Sequence, residues 1–337
     1  MNVILSICIP TYNRLDKLIH LLDKLKLIQH PGIEILVSDD SNNDDTEKYF
    51  YLHGLEYIKY YRNYSNMGQF KNCNACIARA KGEWIQILHD DDDIEPNYIE
   101  TIFPYLSNKE LVLLTGSSEI VELGKNRGVG AAHKNKIDKF AIAYDEPLNG
   151  LVFKSSILKY GNPFVFSHTI FRRETAISHG GFDTNLKFIG DLNLWLKLLD
   201  SGGVIFLKNK IGVYYLHDNN QLTSLDTYIQ QSTELMILRI EMLGFVKEWK
   251  IENYTDEYKY YIEKNIYKAI ILSSIIVNRN VYARFSYIRL VELFKKNELF
   301  VNKKWLPKNF IFGFFHLISK IFPDELLYIY LHYKSIQ

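Results

Sequence analysis

The feature that most constrains this chain is the rhythm of its first hundred residues. Short apolar runs alternate with segments whose apolar residues fall at helical spacing. Val3 to Ile9 suits a strand buried on both faces, and Pro10 stops it. Arg14 to Ile28 places Leu15, Leu18, Ile19, Leu22, Leu25 and Ile28 on one helical face. Pro31-Gly32 turns the chain into a second buried strand, Ile33 to Val37. A short helix is expected from Asp44, where Asp44-Asp45-Thr46-Glu47 offers an N-cap and an acidic first turn. Tyr57 to Tyr61 follows as a strand, Gly68 to Ala80 as a helix ended by Gly82, and Trp84 to Leu88 as a fourth strand. Such alternation predicts the α/β class, a mostly parallel, Rossmann-like sheet with helices on both faces.

In sheets of this kind ligands bind outside the carboxyl ends of the strands. Three polar clusters stand at those ends: Pro10-Thr11-Tyr12-Asn13-Arg14, Ser38-Asp39-Asp40-Ser41, and His89 to Asp93. Beyond this half, the pattern is less regular. Gly124 to Lys136 suggests a loop. Helices are expected at Arg172 to Ser178 and Asp191 to Leu199, with a Gly180-Gly181-Phe182-Asp183 turn between them. Strands are expected at Val204 to Leu207 and Ile211 to Leu216. From Thr223 onward, long helical patterns dominate. The expected organisation is therefore a regular first part, 1–104, a less regular second part, 105–222, and a helical region, 223–337.

Composition narrows the partners. Lys plus Arg total 40 and Asp plus Glu 39, so overall charge gives no argument for nucleic acid. Cys8, Cys73 and Cys76 are too few for a disulfide scaffold and suit a reducing, cytoplasmic compartment. The Cys73-x-x-Cys76 pair has no second pair to complete a zinc ribbon, and its helical setting favours packing. The N-terminus lacks the basic start and cleavage site of a secretion signal, and no apolar run is long enough to span a bilayer.

Chemistry concentrates in Asp90-Asp91-Asp92-Asp93. Adjacent carboxylates repel, and solvation or a cation is needed to hold them together. Hard divalent ions such as Mg²⁺ and Mn²⁺ take oxygen ligands and retain room for substrate phosphates. A metal bridging a diphosphate would neutralise charge on a departing nucleotide.

Five blocks in order carry a resemblance. They are Ser6-Ile7-Cys8-Ile9-Pro10-Thr11-Tyr12-Asn13-Arg14; Val37-Ser38-Asp39-Asp40-Ser41; Asn66-Met67-Gly68 with Asn74 and Ala80-Lys81-Gly82-Glu83-Trp84-Ile85; Leu88 to Pro96; and Gly180 to Asp183 with Asp191-Leu192-Asn193-Leu194-Trp195-Leu196. Together, over about residues 3–222, the chain resembles the family 2 glycosyltransferases, inverting enzymes of the GT-A fold.

The resemblance implies roles. Pro10, Thr11, Tyr12 and Arg14 would line a nucleotide pocket with Asn66 and Gly68, Tyr12 near the base. Asp39 or Asp40 would accept the N–H of a uracil, making a UDP-sugar the expected donor. The Asp90–Asp93 run sits where a DxD signature belongs. Asp90 and Asp92 satisfy its letters, whereas alignment on Pro96 puts His89 first and Asp91 second. Asp91 and Asp92 are the expected metal-side carboxylates for Mn²⁺ or Mg²⁺, and Asp90 and Asp91 the nucleotide-side ones. Asp191 is the candidate general base, with a helix N-cap as its bland alternative. Gly190 stands where the family commonly has Glu. His217, in Tyr214-Tyr215-Leu216-His217, is a candidate at the metal, and Tyr215 replaces a common Arg. His168 is placed at the border of the acceptor site. The acceptor is expected to be a glycan or lipid-linked saccharide hydroxyl.

Lys303-Lys304-Trp305 and Lys308 precede the aromatic segment Phe310 to Ile318. That pattern suits a helix packed on the catalytic domain or on a second copy in a homo-oligomer. It also suits peripheral contact with the inner face of the cytoplasmic membrane. Two other functions compete: a degenerate protein that holds a nucleotide-sugar without turnover, and a nucleotidyltransferase. The second lacks its Gly-rich phosphate loop after the first strand.

Overall fold

A computed structural model describes residues 3–28, 30–123 and 145–217, with a few helical residues between 231 and 241. The chain divides into two compact units, 1–218 and 219–337, and the first is described here. The expected helical region from 223, the Lys303 to Ile318 segment and the Gly124 to Lys136 loop lie outside the described residues, those few excepted. Among the described residues no helix is long and apolar enough to cross a membrane.

The elements run β1 (Leu5–Thr11), α1 (Leu15–Leu25), β2 (Ile33–Asp39), α2 (Asp45–His53), β3 (Ile58–Arg62), α3 (Gln69–Arg79) and β4 (Trp84–Ile87). There follow β5 (Asp93–Ile94), α4 (Tyr98–Leu106), β6 (Leu111–Glu122), α5 (Gly150–Tyr160), β7 (Thr169–Arg172), α6 (Arg173–Ser178), α7 (Gly190–Leu198) and β8 (Gly203–Leu216). One sheet takes the order β3-β2-β1-β4-β7-β6-β8-β5. The first four strands are mutually parallel, β7 is antiparallel to β4 and β6, β8 is parallel to β6, and β5 is antiparallel to β8. The order of connection reverses between β1 and β4, and that switch point is where open α/β sheets form a crevice.

The α/β expectation holds, and most early elements fall within a residue or two of their expected places. Four details differ, each for a physical reason. Asp44 does not cap α2 with its side chain; it pairs with Lys48 one turn on, at 2.8 Å. Gly82 does not end α3, which stops at Arg79 with Ala80 extended. A Cβ on Gly82 would stand 2.5 Å from the Ser6 amide nitrogen, so this glycine lets the chain cross β1 closely. The two expected strands after Gly203 are one strand. Its exposed middle, Lys208-Asn209-Lys210, coincides with register shifts against β6 near Gly116, where a Cβ would meet the Asn209 carbonyl at 3.0 Å. Finally, β6, β7 and α5 form in a stretch without clear periodicity: Ile170-Phe171 are buried beside β4, Leu111 to Leu114 are buried on the far side of β7, and both runs are held by pairing across the sheet.

The core lies between α1, α4 and the sheet, with Leu5, Ile7, Leu18, Leu22, Trp84, Leu88, Tyr98 and Ile205 nearly or fully buried. Cys8, Cys73 and Cys76 are free, buried thiols, as the packing expectation had it.

At the amino end of the sheet, buried Glu34 ties three strands together. Its Oε1 accepts from Ser6 Oγ and the Lys81 amide, each at 2.5 Å, and its Oε2 from Lys59 Nζ at 2.5 Å. Burial raises the carboxyl's pKa, but the bonds from Lys59, Ser6 and Lys81 outweigh it and hold the group below its ordinary value. A depressed folded value means stabilisation that is present above the unfolded pKa and lost as pH falls through the folded one. We therefore expect Glu34→Gln to cost about 1–3 kcal/mol at pH 7 by chemical denaturation. The gap from wild type should shrink below about pH 4. An equal gap at both pH values would show that the charge of Glu34 carries none of the effect.

Candidate active site

The acidic run owes its geometry to a turn. Leu88 N–H still donates to Cys8 O of β1 at 2.8 Å, and then Asp92 N–H donates back to His89 O at 3.2 Å. This is a β-turn with Asp90 and Asp91 at its corner. It delivers Asp93 to β5, which pairs with β8. Four neighbouring carboxylates are thereby sent to different partners.

Asp90, buried, accepts from Thr11 Oγ1 at the end of β1, at 2.7 Å, and lies 3.3 Å from Arg14 Nη1. Asp91 is the least buried of the four. It faces Arg14 at 2.8 Å, Lys17 at 3.4 Å and His217 Nε2 at 4.0 Å. Asp92 accepts from Ser167 Oγ at 2.5 Å and from the Tyr215 amide at 3.1 Å. Asp93 pairs with Lys24 and accepts from Tyr215 Oη at 3.0 Å. Arg14, Lys17 and Lys24 are spaced to share one face of α1, which starts where β1 ends. Burial pushes Asp90 up to about 6 and Asp92 up to about 8, with the neighbouring Asp91 charge adding to both. Burial also works against Asp91, but His89 when it carries a proton, and the Arg14 and Lys17 cations throughout, hold it below its ordinary value. Of these three, Asp91 is thus the one whose charged form its neighbours favour.

His89 packs its ring edge-on to Phe166, 4.8 Å away, and burial lowers its pKa. Its Nε2 is buried with no hydrogen-bond partner among the described residues, so a neutral imidazole keeps an unused nitrogen. Ligand atoms of His89, Asp91 and Asp92 all lie within 4.8 Å of one another. Two carboxylates and an imidazole whose Nδ1 stands 3.9 Å from Asp92 Oδ2 fit a divalent cation, and Mn²⁺ accepts such a mixed set more readily than oxygen-preferring Mg²⁺.

The second strand end is occupied differently from the expectation. Asp40 accepts from the amides of Met67 (2.9 Å) and Gly68 (3.0 Å) and from Asn63 Nδ2 (3.1 Å). It clamps the loop in which Asn66 Oδ1 caps the Gly68 amide at 2.9 Å and Gly68 adopts φ +82°. Asp39 has one donor per oxygen, the Ser41 amide at 2.9 Å and Tyr60 Oη at 2.7 Å. Pro10 is half-buried as the penultimate residue of β1, and Tyr12 stands exposed just past the strand's end.

Asp191 lies in the first turn of α7. The capping position belongs to Ile189, so Asp191 is not an N-cap. Burial pushes its carboxyl up to about 6 against the pull of the Leu192 amide and its own. The Tyr214 phenol is raised by burial and by the charges of Asp92, Asp91 and Asp191, so both acidic groups act on this one side chain of β8. Gly190 has no room for a side chain: a Cβ would meet the Phe70 ring at 2.5 Å. Phe70 stacks on Phe182 at 5.6 Å, and Phe166 packs against Trp195 of α7 at 6.0 Å. A wall of rings thus runs from His89 to α7.

His168 is not at a binding surface. It is fully buried, its Nε2 donates to Asp93 O at 3.0 Å, and its Nδ1 accepts from Ser118 at 2.8 Å. Gly212 supplies the space, because a Cβ there would overlap the His168 ring. Lys17, Lys24 and Ser167 escaped notice in the sequence. The two lysines carry a signal, their helical spacing from Arg14; Ser167 carries none, since Gln86 Nε2 holds its carbonyl from β4 at 2.7 Å.

The family model for glycosyl transferase family 2 matches residues 6–174. A Campylobacter jejuni GalNAc(5)-diNAcBac-PP-undecaprenol beta-1,3-glucosyltransferase is 26% identical, over 53% of this chain and 63% of its own. Staphylococcus aureus TarS 1-349, solved with UDP-GlcNAc, aligns with TM-score 0.54 at 17% identity, over 88% of this chain and 92% of its own. The mannosyltransferase PcManGT from Pyrobaculum calidifontis, solved with GDP-Man and Mn²⁺, aligns with TM-score 0.56 at 13% identity, over 95% and 87%. At those identities the two structures establish the GT-A fold. The chain spans 66% of the length of another curated relative, 24% identical to it. A match that runs from β1 through the acidic turn to β7, on a chain folded like these transferases, means that the protein belongs to glycosyl transferase family 2 and is a glycosyltransferase.

Proposed function

We propose that this protein is an inverting, metal-assisted transferase that moves a sugar from a UDP-sugar to a saccharide hydroxyl, with Asp191 as general base. The observation that carries the reading is the division of labour among carboxylates. Asp91 stays charged beside His89, Asp92 and His217, whereas burial poises Asp191 at about 6. Groups whose surroundings drive their pKa values apart are suited to different roles.

Asp91 and Asp92 with His89 or His217 would hold Mn²⁺, the metal supplying charge neutralisation at the leaving diphosphate. Arg14, half exposed and already facing Asp90 and Asp91, would turn to the same phosphates. Asp39 rather than Asp40 takes the nucleobase N–H, because Asp40 is engaged by the Met67–Gly68 loop and each Asp39 oxygen keeps a lone pair. Thr11, through its bond to Asp90, fixes the nucleotide-side carboxylate, and Tyr12 offers an exposed ring to the base. The Asp191 carboxylate then takes the acceptor hydroxyl's proton while that oxygen attacks the anomeric carbon and the bond to the diphosphate breaks. The undecaprenol-linked substrate in the Campylobacter jejuni relative's name supports a lipid-linked saccharide as one acceptor class.

Asp191→Asn should lower kcat by about 10²- to 10⁴-fold with UDP affinity retained; full activity would remove Asp191 from the chemistry. The base works deprotonated, so log kcat should fall as pH drops through about 6 and level above it. A profile flat from pH 5 to about 8 would contradict that. After chelation, Mn²⁺ should restore turnover better than Mg²⁺. Metal-dependent UDP binding without turnover on any donor would instead mark a binding protein.

A further inference from the structure

Lys17 occupies an unusual place. Its Nζ lies 3.4 Å from Asp91 Oδ2 and 3.4 Å from His217 Nε2, while those two atoms are 4.0 Å apart. An ammonium only donates, so His217 Nε2 accepts and its proton sits on Nδ1. Lys17 therefore binds the same lone pairs that a divalent ion would need. Arg14 shares only part of this place: its Nη1 lies 2.8 Å from the same Asp91 Oδ2, but its other carboxylate partner is Asp90, whereas Lys17 spans Asp91 and His217. A lysine is suited to this place, being a compact point charge on a flexible stem that can swing through several ångströms. About a third of its side chain is exposed, so a path outward exists.

We propose that Lys17 is a tethered counter-ion that holds the Asp91–His217 pair in the metal-free enzyme, yields it to the divalent cation, and moves onto the donor's diphosphate oxygens. The inference rests on Asp91 and His217 as metal-side residues. It has two consequences. Without nucleotide, Lys17 competes with the metal and keeps its affinity low. With nucleotide, the displaced ammonium gains a phosphate partner, so metal and UDP assist each other's binding through it, and by linkage each does so equally. Metal capture is thereby tied to the presence of donor.

The test is Mn²⁺ affinity, read by electron paramagnetic resonance of free Mn²⁺, with and without UDP. Lys17→Met should bind Mn²⁺ alone about three- to tenfold more tightly than wild type. UDP should then tighten Mn²⁺ binding less in this variant than in wild type. Lys17→Gln, which keeps a polar stem, should show the same two changes, and Lys17→Arg should stay near wild type. Unchanged or weaker Mn²⁺ binding in both neutral variants overturns the role of Lys17, provided wild-type binding is lost in Asp91→Asn. Wild-type binding that is absent, or indifferent to Asp91→Asn, removes the metal assignment itself and the Lys17 role with it.

Discussion

Mutual repulsion among four adjacent carboxylates is the constraint on which the site depends. Two like charges about 4 Å apart oppose each other by about 4 kcal/mol in a medium of effective dielectric about 20. The chain answers with a β-turn and with donors for every carboxylate: Thr11 for Asp90, Arg14 and Lys17 for Asp91, Ser167 for Asp92, and Lys24 with Tyr215 for Asp93. Only Asp91 keeps both its charge and its access.

Much of the surrounding structure serves that separation. The face of α1 brings its cations to the turn because β1 ends beside the switch point. The end of β8 contributes an amide, a phenol and an imidazole in Tyr215 and His217. His168 and Gly212 lock β5 to β8 from beneath. A bond chain from Tyr98 through Gln86 to Ser167 carries the positioning of Asp92 back into the core. On the other side the ring wall from His89 to Trp195 fixes where α7 presents Asp191, and Gly190 is small because Phe70 fills its space.

The parallel half of the fold was legible in the sequence because its strands are apolar on both faces and its helices one-sided, so each element declares itself locally. The second half was not. Strands β6 and β7 are specified by pairing with neighbours distant in sequence, and β8 hides its continuity behind Lys208-Asn209-Lys210. The site residues follow the same rule. Thr11, Arg14 and the aspartates lie at strand ends that periodicity locates. The distinct tasks of Asp39 and Asp40 could not be told apart, because the Met67–Gly68 loop that claims Asp40 comes from another element. His168 was expected at the border of the acceptor site, but it is fully buried against the paired β5 and β8.

The central claim is that the turn separates a working carboxylate from structural ones. It is tested most directly by measuring thermal midpoint and Mn²⁺-dependent UDP affinity side by side for Asp91→Asn and Asp93→Asn. We expect Asp91→Asn to lose the Mn²⁺-dependent gain with its midpoint little changed. Asp93→Asn, which leaves Lys24 and Tyr215 without their carboxylate, should lower the midpoint and keep the gain. The opposite pattern, with Asp91→Asn unstable and Asp93→Asn blind to Mn²⁺, would contradict the account.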